Sequence, residues 1–76
     1  MTAELESVVL NRALPEHELK AGDVGTVVFV YPDGSQVEVE FVNGGGGTVA
    51  VLPLPTEDVR PMRPDEIHHV RAVSRR

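Results

Sequence analysis

The chain has 76 residues, 41% of them hydrophobic, which is enough for one globular domain and too few for two. It has no cysteine and only three aromatic rings, Phe29, Tyr31 and Phe41; disulfides and cysteine-based metal or redox sites are therefore excluded, and the core falls to valine and leucine. The net charge of −5 is unevenly spread: residues 1–58 hold ten acids and two bases, a balance of −8, and residues 59–76 hold five arginines and two acids, a balance of +3.

The N-terminal residues contain Glu4 and Glu6 and lack a basic region followed by an apolar run, so no signal peptide is expected there. No apolar stretch approaches the ~20 residues that span a bilayer. A cytoplasmic protein without membrane association is the expectation.

In chain order, Ser7 to Leu10 reads as a first strand. A polar connection of about a dozen residues follows, long by the usual 4–6, with Leu14 and Leu19 expected to turn back onto the core. Val24 to Tyr31 is β-branched and aromatic throughout, apolar on both faces, and interrupted only by Gly25, a candidate bend or bulge. Pro32-Asp33-Gly34-Ser35 is a turn, since proline pre-sets φ and glycine accepts the left-handed conformation.

Gln36 to Val42 alternates, placing Val37, Val39 and Phe41 inward and Gln36, Glu38 and Glu40 toward water. Asn43 to Gly47 forms a loop tip. Thr48 to Leu52 returns as a further strand, ended by Pro53 and Pro55. Thr56-Glu57-Asp58 suits a single 3₁₀ turn leading into a short fifth strand, Val59 to Met62, which Pro61 makes edge-like. Beyond it, Arg63 to Arg76 is open to two readings: Ile67, Val70 and Arg71 stand at helical spacing, and Ile67, His69 and Arg71 equally at strand spacing. The predicted fold is mainly β, a small five-stranded, partly open SH3-like barrel over 1–62, with a tail over 63–76, a short helix or strand, that packs on the barrel or on a partner.

The segment Leu14-Pro15-Glu16-His17-Glu18-Leu19-Lys20-Ala21-Gly22-Asp23-Val24-Gly25-Thr26-Val27 carries a resemblance, continued in Val37-Glu38-Val39-Glu40-Phe41 and Val59-Arg60-Pro61. Together these resemble a family of small bacterial proteins catalogued only as a domain of unknown function. The resemblance implies a small SH3-like barrel, brings no activity, and suggests companions of neighbouring gene products, with an immunity or antitoxin role conceivable. Gly22-Asp23-Val24-Gly25-Thr26-Val27 alone is also similar to ribosome-associated KOW modules and to small barrel subunits of photosynthetic complexes, a likeness of turn and strand start.

Chemistry is sparse. His17, His68 and His69 lack metal-ligand spacing, and the two adjacent histidines point to different faces of either element. Ser7, Ser35 and Ser74 have no pattern of an activated nucleophile around them. Glu38 and Glu40 lie ~7 Å apart by strand geometry, but a barrel of this size encloses no cleft for them to flank. The glycine loop has no following helix or Lys-Ser/Thr pair and is no phosphate loop. Tyr31 is the one aromatic expected at the surface, beside an acidic hairpin that repels phosphates, so nucleic acid is disfavoured.

The expected function is a non-enzymatic protein-interaction module without cofactor or metal, meeting a basic partner or one encoded nearby. The residues expected to carry it are Glu38, Glu40, Glu57 and Asp58, together with Ile67, Val70 and Arg71 of the tail. A KOW-like nucleic-acid-binding module and an accessory subunit of a larger enzyme are the alternatives.

Overall fold

A computed structural model describes residues 3–73; Ser74, Arg75 and Arg76 of the basic tail lie outside the described residues. Five antiparallel strands form one sheet: β1 (Ser7–Leu10), β2 (Val24–Val30), β3 (Gln36–Val42), β4 (Thr48–Pro55) and β5 (Val59–Pro61). Their order is β4-β3-β2-β1-β5, so the fifth strand returns to pair with the first and the sheet stays open between β4 and β5. This is the expected small, partly open barrel.

The inner face holds the core. Val8, Leu10, Val27, Val37, Val39, Phe41, Leu54 and Val59 are buried together, and Leu14 and Leu19 of the long connection join them. Those two leucines exchange backbone hydrogen bonds across a 3₁₀ turn at Pro15–His17, with N–H···O distances of 2.9 and 3.1 Å. The polar connection thus closes on itself and caps one end of the sheet with apolar side chains.

Gly25 carries no bulge: it pairs with Val8 in regular register. The irregularity comes three residues later, where Val27 pairs with Val39 and Phe29 with Glu38, leaving Val28 as an extra residue. A bulge of this kind shifts every following side chain to the opposite face. Val30 therefore turns inward, while Phe29 turns outward beside Tyr31. Phe29 is 43% exposed, so the surface carries two aromatic rings where one was expected.

The β4 strand runs past its expected end at Leu52 to Pro55. Its register with β3, Phe41 to Ala50 through Gln36 to Pro55, continues into a Thr56 N–H···O Ser35 bond of 3.0 Å. In that phase Leu52, Leu54 and Thr56 turn their backbone toward β3, and Val51, Pro53 and Pro55 turn theirs away. The prolines lack a donor only where no ladder bond is required, and the strand passes through both.

The 3₁₀ turn at Thr56–Asp58 and the fifth strand lie where expected. The tail differs from both expectations: between Arg63 and Val73 it is neither helix nor strand, but a turn at Pro64 and Asp65 followed by chain without regular secondary structure. Side chains fix it instead of a ladder. Glu66 meets Arg60 at 2.6 Å, and Arg71 meets Asp23.

Candidate interaction face

On the outer face, register places side chains in three rows across β2, β3 and β4. Phe29, Glu38 and Pro53 form one row, Thr26, Glu40 and Val51 the next. Tyr31, Gln36 and Pro55 form the third, since the Tyr31 N–H donates to the Gln36 carbonyl at 3.1 Å. Phe29 and Tyr31 meet edge to face, their centroids 5.1 Å apart. Each glutamate of the β3 stripe therefore has a neighbour on either side, and Glu38 sits between an aromatic ring and a proline. Glu40 accepts a 2.8 Å hydrogen bond from the Thr48 hydroxyl.

The acidic stripe and the tail share one border. A groove of about 580 Å³ runs between the tail and the outer sheet, lined among others by Thr26, Glu40 and Val42 on one side and by His68, Val70 and Arg71 on the other. It is open to solvent. His68 and His69 reach the same groove as Glu40, yet among the described residues no three His, Asp or Glu side chains are placed to hold a metal ion. Ser7 also lines it, and among the described residues no base is hydrogen-bonded to its hydroxyl.

The expected partner-binding residues thus divide. Glu38 and Glu40 share a face as anticipated. Ile67 and Val70 are exposed, at 87% and 88%. Glu57 and Asp58 belong elsewhere: Asp58 accepts from Arg12 at 2.8 Å, and the carbonyls of both acids bond Asn11, so they fasten the start of β5 to the end of β1. Arg71 is engaged within the chain: its Nε donates to Asp23 Oδ1 at 3.1 Å, and its Nη2 donates to Asp23 Oδ2 and, at 2.8 Å, to the Glu18 carbonyl.

These contacts shape the electrostatics. Partial burial by itself raises the Asp23 pKa, but the Arg71 hydrogen bonds, the Lys20 N–H and the charges of both residues outweigh it and hold the carboxyl below its ordinary value. Glu66 is lowered to about 2, chiefly by the Arg60 side chain and then by the Arg63 N–H. The same pairings raise Arg60 and Arg71.

Sequence reasoning missed Phe29, Val51, Pro53 and Pro55 as surface neighbours of the stripe. The only available signal was their apolar character, which reads equally well as core.

No helix among the described residues is long and apolar enough to cross a membrane. Among curated proteins and among solved structures, none matches the chain. Residues 4–61, most of the chain and all five strands, match the model of a family described as a domain of unknown function, DUF4926. The chain belongs to that family.

Proposed function

We propose that the chain is a non-enzymatic protein-interaction module that binds a basic partner protein through the outer face of β2, β3 and β4. The observation that carries this is the setting of Glu38 and Glu40, two carboxylates placed among Phe29, Tyr31, Val51 and Pro53. Protein interfaces favour aromatic anchors surrounded by groups that exclude water. Carboxylates on such a surface select lysine or arginine opposite them and speed the encounter.

Strand addition at the sheet edges is the other common route to a partner, and both edges oppose it. From Ala50 to Thr56 only Val51 turns an N–H outward on β4. On β5 the outward Val59 N–H is taken by the Thr56 carbonyl, and Pro61 has none. A face is left as the surface that can bind. Phosphates laid across it would meet Glu38 and Glu40, so the charge favours protein over nucleic acid.

The finer form of the proposal is a companion that masks a basic protein encoded nearby, as an immunity or antitoxin protein does. The test is affinity purification from the native host with the wild-type chain and with E38K/E40K, followed by titration of any retained protein in pure form. A partner that binds the wild type, weakens with salt and is lost from the reversed-charge variant supports the proposal. Equal retention by both chains, or none by either, overturns it.

A further inference from the structure

We infer that Asp23 and the Glu18 carbonyl form an arginine-recognition site, occupied in this structure by the chain's own Arg71, which an arginine of a bound protein displaces. The receptor half is assembled without the tail. Glu18 holds a left-handed φ of 60°, its N–H bonded to the Pro15 carbonyl. Asp23 is fixed at three atoms: its carboxylate accepts the Lys20 N–H at 2.8 Å, its own N–H bonds the Lys20 carbonyl at 3.0 Å, and its carbonyl accepts the Leu10 N–H at 2.9 Å. The buried Leu14 and Leu19 hold this loop on the core.

The bond pattern selects guanidinium over ammonium. Nε and Nη2 donate to the two carboxylate oxygens in parallel, and Nη2 also reaches the Glu18 carbonyl. A planar fork with several fixed donors makes this set; a lysine presents one point charge.

The occupying half is held through the Arg71 side chain and not through its backbone. Among the described residues no backbone–backbone hydrogen bond involves residues 67–73, and Ile67 and Val70 leave their side chains in water. Arg71 stands between two hollows, the groove already described and a second of about 430 Å³ lined by Ala13, Pro15, Leu19 and Lys20. Ala72 and Val73 border both. The ligand chemistry follows from the segment seated there: a stretch of partner protein with an arginine followed by small apolar residues. Tail release is then a local opening that leaves the core intact. The identity of the ligand as a partner's segment rests on the protein-binding proposal above, but the site itself is tested without that partner.

The experiment titrates the peptide His-His-Val-Arg-Ala-Val, the chain's own sequence over 68–73, into ¹⁵N-labelled full-length wild type, R71A and D23N/R71A. R71K, which keeps charge without the fork, serves as a second host. R71A and R71K are expected to bind with shifts at the Leu19, Lys20 and Asp23 amides, at least tenfold more tightly than wild type, whose tail competes. A lysine-for-arginine peptide is expected to bind at least fivefold more weakly, and D23N/R71A not to bind.

Failure of both hosts to bind overturns the inference, as do equal affinities for the two peptides or for wild type and R71A. Dimerisation of the wild type that R71A abolishes would also overturn it, by making a second copy the occupant. E38K alone, at a residue outside both hollows, is expected to leave peptide binding unchanged. Failure here with partner binding intact therefore removes this site alone, and peptide binding with no partner found removes only the earlier proposal.

Discussion

Gly25 has no space for a side chain. A Cβ there would lie 2.5 Å from Val39 Cγ1 and 2.8 Å from Phe41 Cε2, and these neighbours belong to the buried core. G25A is expected to destabilise the fold by about 1–3 kcal/mol, as overpacking does, read from the shift in urea midpoint. The glycine is visible in the sequence as a break in an apolar run, but its reason is not, because the crowding arises from two side chains on another strand.

Glu66 makes a second prediction at this scale. Its folded pKa of about 2 lies below the value of a free glutamate, so folding favours the ionised form. The stabilisation is complete above the ordinary carboxylate range and is lost as pH falls toward 2. Carboxyl carbon titration by NMR should find Glu66 protonating near 2 in the wild type, and R60A should raise it toward the ordinary range, with the Arg63 N–H still holding it below. Asp23, also lowered, loses its hold on Arg71 in the same direction, so acid frees both attachments of the tail.

Among the elements, β3 was the most readable, because its polar and apolar residues alternate from Gln36 to Phe41. The β2 strand was not, since an apolar residue at nearly every position gives no phase, and the extra residue at Val28 is apparent only from its pairing. Proline argued for an early end to β4; the edge position overrode that, as the donors missing at Pro53 and Pro55 face away from β3. The tail's two competing periodicities gave no decision because its placement depends on Arg60 and Asp23, distant in sequence. The prolines also make a prediction. P53V/P55V restores two outward N–H groups to an exposed strand, so this variant is expected to self-associate where the wild type stays monodisperse, as measured by light scattering after gel filtration.

For the molecule as a whole, the inner core among the described residues uses none beyond Val59, and the family match ends at residue 61. A chain ending at Arg63 is accordingly expected to unfold in one cooperative transition, losing no more than about 3 kcal/mol, since it forfeits three exposed or half-exposed ion pairs, each worth up to about 1 kcal/mol. Denaturant unfolding followed by circular dichroism checks this. As for the candidate site, the glutamate stripe was readable from β3 alone. Its apolar surroundings, and the diversion of Asp58 and Arg71 to internal partners, depend on which strands become neighbours, and no local pattern encodes that.

The extra residue in β2 has an optical consequence. Tyr31 is the only tyrosine and the chain has no tryptophan, so its ultraviolet emission arises from one ring on the outer sheet, edge-on to Phe29. The native protein thus carries an unlabelled fluorophore at the surface proposed to meet other molecules, one that should respond to docking while remaining largely blind to repacking in the interior.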